Sequence, residues 1–189
     1  QQLENMNKLL TLFFITFLVY FEADCQKIID RTGYIKFFSS APLEDIEALN
    51  EKAMSVLDTE TGKIAVTMQM TDFNFKKSLM QEHFNENYIE SEKYPKSTFL
   101  GSLTNFDFKK IVEGKITQLT AEGSITIHGQ TKPLIAEVTF SINKNFLTAT
   151  TVFKLKVADF GIKIPTVVVM NIAEEVEVTN IFNYDLNSK

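Results

Sequence analysis

Three long stretches of the chain alternate apolar and polar side chains with a period of two, and no other feature constrains the fold as tightly. Ile64, Val66, Met68 and Met70 interleave with Lys63, Ala65, Thr67 and Gln69. Leu134, Ala136, Val138, Phe140 and Ile142 are set against Ile135, Glu137, Thr139 and Ser141. Leu147, Ala149, Thr151, Phe153, Leu155 and Val157 are set against Phe146, Thr148, Thr150, Val152, Lys154 and Lys156. Successive side chains of a strand point to opposite faces, so each run predicts an antiparallel strand with one buried face. Shorter strands are predicted over Thr32 to Ser39, Ser55 to Thr61, Ser97 to Phe106, Lys115 to His128 and Glu174 to Leu186. Asn143-Lys144-Asn145 reads as a hairpin connection, because Asn tolerates left-handed backbone angles, and Gly62, Gly114 and Gly129 mark further turns.

Two segments carry helical spacing instead. Pro42 to Ala53 places Ile46, Leu49 and Ala53 on one face, with Ser40 as a cap and Pro in the first turn. Lys76 to Phe84 places Leu79, Met80 and His83 at helical spacing, and Tyr88 after it is expected to be extended. About eight strands, two short helices and a consistent inner face predict a mainly β fold, an antiparallel eight-stranded barrel. A barrel of that size is either filled by its own side chains or holds one small guest. Its inner faces are expected to carry Met68, Met70, Phe99, Leu103, Ile125, Ile127, Phe140, Phe153, Leu155, Val176, Val178 and Phe182. Such a wall favours an apolar guest, since each methylene withdrawn from water contributes about 0.8 kcal/mol.

The N-terminal region reads as an address rather than as structure. Met6-Asn7-Lys8 is followed by an uncharged apolar run from Leu9 to Phe21. That run is shorter than the roughly 20 residues of a membrane span and matches the roughly 7–15 of a secretory signal. With Ala23 and Cys25 as the small residues, cleavage falls before Gln26, so that residues 1–25 are upstream extension and signal peptide and 26–189 form one domain. Lipidation of Cys25 is the rival reading; Asp24 stands where a lipoprotein signal has a small residue. The expected destination is the periplasm or the exterior. Cys25 is the chain's one cysteine, so the mature domain would depend on its apolar core, with no disulfide to help. It would keep thirteen of the 17 Phe and a formal charge of about −3, against −5 for the whole chain. No basic stripe accompanies that charge, which argues against a nucleic-acid partner.

Catalytic patterns are missing. The phosphate-loop and dinucleotide glycine motifs do not occur. The two histidines, His83 in Gln81-Glu82-His83-Phe84 and His128 before Gly129, are not spaced as a zinc pair, so neither a catalytic residue nor a metal site is assigned. Asp159-Phe160-Gly161 lacks the glycine loop, lysine and catalytic loop of a kinase and reads as a turn with Phe160 inward.

Three stretches, in order, carry a family resemblance: LMQEHFNENYIESEKYPKSTFLG from Leu79 to Gly101, SITIHGQTKP from Ser124 to Pro133, and LKVADFGIKIPTVVVMNIAEEVEV from Leu155 to Val178. Together they resemble the YceI family of polyisoprenoid-binding or lipid-binding proteins with a lipocalin-like barrel. The resemblance implies a non-enzymatic protein that carries or stores an elongated lipid, such as a polyprenyl chain, an isoprenoid quinone or a fatty-acid-like molecule. No resident cofactor is implied beyond such a bound lipid or quinone. Under this reading the segment from Leu79 covers one barrel mouth, with Leu79, Met80 and Phe84 inward and His83 and Tyr88 near a polar head group. Exposed strand edges leave a homodimer open. The competing readings are an extracytoplasmic stress-response or interaction protein whose barrel is filled by its own Phe and Met, and a His-based metal protein or enzyme.

Overall fold

The computed structural model describes residues 27–40, 45–163 and 174–187. The expected signal peptide lies outside them, as do the first residues of the helix expected from Pro42. Strands dominate: β1 Lys27–Ser39, β2 Ile46–Asp58, β3 Lys63–Gln69, a two-residue β4 Asn74–Phe75, β5 Lys96–Leu103, β6 Thr117–Ile127, β7 Gln130–Asn143, β8 Phe146–Lys156 and β9 Glu175–Asp185. Every pairing is antiparallel, and the order β1-β9-β8-β7-β6-β5-β3-β2 closes when β1 also pairs with β2. The result is a closed eight-stranded up-and-down barrel, with β4 attached to β2. Among the described residues closure leaves no full-length exposed edge, which limits pairing with neighbouring molecules.

The helix expected over Pro42 to Ala53 is a strand from Ile46 onward. The error has a physical source. Ile46 and Ala53 both face the interior although they are seven residues apart, an interval that puts residues of a regular strand on opposite faces. A bulge at Glu51-Lys52 inserts the extra residue: β1 register steps from Gly33 opposite Ala53 to Ile35 opposite Asn50. A strand with one bulge thus mimics helical spacing, and Leu49 lies on the outer face. The buried Asn50 amide fills the bulge, accepting from the Lys52 N–H (2.9 Å) and donating to the Gln69 carbonyl (2.9 Å).

An equivalent device bends β1. Between Asp30 and Gly33 the register with β2 shifts again. The Asp30 carboxylate, only 4% exposed, accepts from the Thr32 N–H (2.9 Å), the Thr32 hydroxyl (3.1 Å) and, across the seam, the Asn183 N–H of β9 (2.7 Å). Backbone pairing between β1 and β9 runs from Phe38–Glu177 to Tyr34–Ile181, so the carboxylate takes over as acceptor just beyond the point where the β1 backbone turns away. Gly33 in the same bend is required by close approach: a Cβ there would stand 2.2 Å from the ring of the buried Phe182.

The barrel interior divides in two. The end that carries the β2–β3 and β7–β8 turns is solid, filled by Ile28, Leu57, Leu103, Ile111, Phe140, Leu147 and Tyr184. Within this plug the Tyr184 and Ser55 hydroxyls meet at 2.6 Å, joining β9 to β2 through the interior. Burial pushes the Tyr184 phenol well above its usual value. At the β7–β8 turn the left-handed residue is Lys144 (φ 55°), not a flanking Asn, because Asn143 is still paired with Phe146.

Two consequences are measurable. Asp30→Ala leaves the Asn183 and Thr32 donors without their acceptor and is expected to lower unfolding free energy by about 2–4 kcal/mol in urea titrations; a loss below about 0.5 kcal/mol would refute its role at the seam. Tyr184 is neutral in the folded barrel and ionises near pH 10 once unfolded, so its contribution to stability is fully present below about pH 10 and falls above it, by up to about 1.4 kcal/mol per pH unit. The alkaline slope of stability should therefore be shallower in Tyr184→Phe; an unchanged slope would contradict the assignment.

Candidate functional site

The other end of the barrel is hollow and carries the insertion between β3 and β5, whereas the connection between β5 and β6, residues 104–116, lies at the plug end. The insertion between β3 and β5 begins with a 3-10 turn at Met70–Asp72, continues through β4 into helix α1 Ser78–His83, and ends in a π-helical turn at Phe84–Tyr88. The sequence-predicted helix at Lys76 to Phe84 is therefore present, and Tyr88 is helical rather than extended. Its inward face consists of Met80 and Phe84, while Leu79, expected inward, is 60% exposed. Four rings anchor the insertion to β1: Phe37 stacks on Phe84 at 5.6 Å and meets Phe73 at 5.4 Å and Phe75 at 5.6 Å. Contacts of this kind add about 0.5–1.5 kcal/mol each beyond area burial.

A second anchor lies across the mouth. His128 and Gly129 form the two-residue turn between β6 and β7, with φ of 50° and 70°, the pairing that a type I′ hairpin demands. The His128 side chain, 12% exposed, places Nδ1 at 3.0 Å from the Phe160 carbonyl and Nε2 at 2.7 Å from Glu90 Oε2, and Tyr94 lies edge-on at 4.4 Å. One imidazole thus joins the helical insertion, the hairpin tip and the turn Val157–Phe160 that follows β8. Phe160 is buried and Gly161 takes φ 69°, as a tight turn requires. Lys93 sits 4.8 Å above the Tyr94 ring, and the neighbouring Tyr94 phenol, aided by Glu90, holds its ammonium above the usual range.

Between plug and mouth lies a cavity of about 210 Å³. Of the positions expected on its wall, Met68, Met70, Phe99, Ile125 and Ile127 line it from the β3–β5–β6 side, and Phe153, Leu155, Val176, Val178 and Phe182 from the β8–β9 side. Tyr88 lines the mouth, where partial burial raises its phenol above the usual value. Leu103 and Phe140 do not reach the cavity; they face inward but below it, in the plug. Nor does His83, which is exposed at the last turn of α1 and is absent from the cavity wall.

The wall that sequence reasoning missed is the β1–β2 side and the start of the insertion: Ile35, Phe37, Ile46, Phe73 and Phe75. Alternation of Gly33, Ile35, Phe37 and Ser39 carried a signal for β1, but the helical reading of residues 42–53 removed the strand against which to set it. No charged side chain lines the cavity among the described residues. Polar lining is confined to Ser39, Tyr88, Ser97, Thr98, Thr151 and Asn180. The Ser97 and Thr151 hydroxyls donate to the Thr126 and Glu137 carbonyls, at 2.8 and 2.7 Å.

The cavity wall is also parted on one side. β7 and β8 are paired from Val138–Thr151 to Asn143–Phe146, whereas above this level β7 pairs only with β6 and β8 only with β9 among the described residues. Leu134 and Ala136 face Phe153 and Leu155 across that gap, and all four line the cavity. No three His, Cys, Asp or Glu side chains converge as a metal site, and no helix is long and apolar enough to cross a membrane, among the described residues.

The mouth geometry predicts that His128→Ala frees the insertion from the hairpin. Amide exchange over residues 84–94 should rise by roughly tenfold, the equivalent of one charge-assisted hydrogen bond, while exchange in the plug stays unchanged. Equal acceleration in both regions would show instead a global loss of stability.

Solved structures share this architecture. A polyisoprenoid binding domain from Saccharophagus degradans, implicated in plant cell wall breakdown, superposes with a TM-score of 0.72 at 13% identity, covering 84% of this chain and 97% of that one. Burkholderia cenocepacia BcnA gives 0.68 at 16% identity over 80% and 95% of the two chains. The Campylobacter jejuni YCEI protein gives 0.62 at 15% identity over 77% and 88%. At such identities the likeness is one of fold. No curated protein matches the sequence. A family model does, that of the YceI-like domain, over residues 40–182, the span that follows β1 and holds β2 to β8 and β9 as far as Phe182. The chain belongs to the YceI-like family.

Proposed function

We propose that the barrel is a non-enzymatic binding site for an elongated apolar lipid, a polyisoprenoid, isoprenoid quinone or fatty-acid-like chain, that it carries or stores. The observation that carries this reading is the uncharged, aromatic-rich and aliphatic cavity beneath a mouth built from loops. Such a wall offers an alkyl or prenyl guest about 0.8 kcal/mol per methylene withdrawn from water and offers a reaction no nucleophile paired with a base. Family membership supports the reading, as does the Saccharophagus neighbour described as polyisoprenoid binding. The unfilled cavity in the upper half of the barrel favours it over a self-filled interaction protein, which describes only the plug. The lipid is cargo and not a resident cofactor. Export to the periplasm or the exterior is proposed from the apolar run Leu9 to Phe21 alone.

Native mass spectrometry after incubation with a prenyl alcohol is the test. The expected result is one lipid per chain, with Ala136→Phe, which fills the cavity from β7, reducing uptake at least about tenfold at unchanged fold. A chain that takes up no lipid, or a variant that takes it up as well as the parent, would overturn the proposal.

A further inference from the structure

One polar side chain in the cavity is out of keeping with its row. The inward positions of β9 run Val176, Val178, Asn180, Phe182 and Tyr184, and a branched apolar residue at 180 would continue the pattern. Asn180 pairs in register with Ile35 on β1 and Thr151 on β8, and Thr151 pairs with Val138 on β7; all four line the cavity just above its floor at Phe182. Asn180 is 9% exposed, and its Oδ1 is buried with no hydrogen-bond partner among the described residues. The hydroxyl beside it differs, since Thr151 donates to the Glu137 carbonyl, as Ser97 elsewhere in the wall donates to that of Thr126. A buried acceptor without a donor is costly, and native structures retain few. In this rotamer Oδ1 itself is covered, and rotation about the Cβ–Cγ bond, a soft two-fold torsion, would turn it toward a guest.

The charge of the guest follows from the same wall. With no Lys, Arg or His lining the cavity among the described residues, a carboxylate or phosphate carried to this depth would be a buried unpaired anion. A neutral donor carries no such penalty. We infer that the cavity takes a neutral amphiphile with a hydroxyl at one end, a prenyl or long-chain alcohol, held hydroxyl-inward with its O–H donating to Asn180 Oδ1. The inference rests on the lipid-binding reading and adds polarity, charge and orientation to it. A charged head group, if present, belongs at the mouth and not at the floor.

The test is displacement of N-phenylnaphthylamine fluorescence from the full chain by dodecanol, dodecane and dodecanoate. The chain has no Trp to interfere. A wholly apolar cavity prefers the alkane, because burying a hydroxyl without a partner is unfavourable, so the sign of the preference discriminates. In the parent protein dodecanol should compete about tenfold more tightly than dodecane, as one well-made buried hydrogen bond provides, with dodecanoate weakest. In Asn180→Leu, and in Asn180→Val as a second variant that suits a strand, the advantage of the alcohol should vanish while dodecane binds at least as well as before, which shows the cavity intact. Alcohol and alkane binding equally in the parent, or an alcohol preference that survives in both variants, would overturn the inference and leave the lipid reading standing. Failure of the probe and all three competitors to bind would overturn both.

Discussion

The fold depends on one strand being shared. β1 pairs with β2 along its whole length and with β9 along its upper part, and without that second pairing the sheet would remain open. A strand that serves two partners at different angles has to bend, and the bend costs backbone pairing. Here the lost acceptor is replaced by the Asp30 carboxylate on the Asn183 N–H, and the crowding is relieved by Gly33 beneath Phe182. The matching bulge in β2 is filled by Asn50. Two short polar side chains, each bonding the N–H two residues on, thus give the curvature that lets eight strands meet.

Closure then sets up a division of labour along the barrel axis. Tyr184, Phe140, Leu147 and Leu57 give the chain a packed core at one end, with the Ser55–Tyr184 hydrogen bond satisfying the two hydroxyls it buries. That plug relieves the other end of the need to be solid. There, the phenylalanine cluster and the His128 side chain hold the loops in place around a cavity instead of filling it. Pockets are tolerated where the stabilising contacts lie elsewhere, and local mobility is drawn from the less densely packed end.

Most of the strands were legible because a strand with one wet face writes its orientation into every second residue. Met68, Ile125, Phe153 and Val178 were assigned inward on that ground and do face inward. The same rule could not separate Leu103 and Phe140 from them, since a plug residue and a cavity residue have the same parity and the same chemistry; only depth along the barrel distinguishes them. β2 was misread for a local reason, the bulge at Glu51-Lys52 that turned a period of two into a spacing of seven. His128 was legible as a strand end but not as a clamp, because Glu90 and Phe160 reach it from segments tens of residues away.

The sequence by itself determined most of the antiparallel strands, their inner faces and the apolar character of the barrel's lining, because alternation and composition are local properties of the chain. Only the tertiary structure decided where the interior is packed and where it is open, which Asn is satisfied and which is not, and which loops meet at the mouth. Asn50 and Asn180 are indistinguishable as letters; one fills a bulge with two hydrogen bonds while the other keeps a free acceptor beside the cavity. That difference arises from partners brought together by barrel closure, through pairings between residues far apart in the chain.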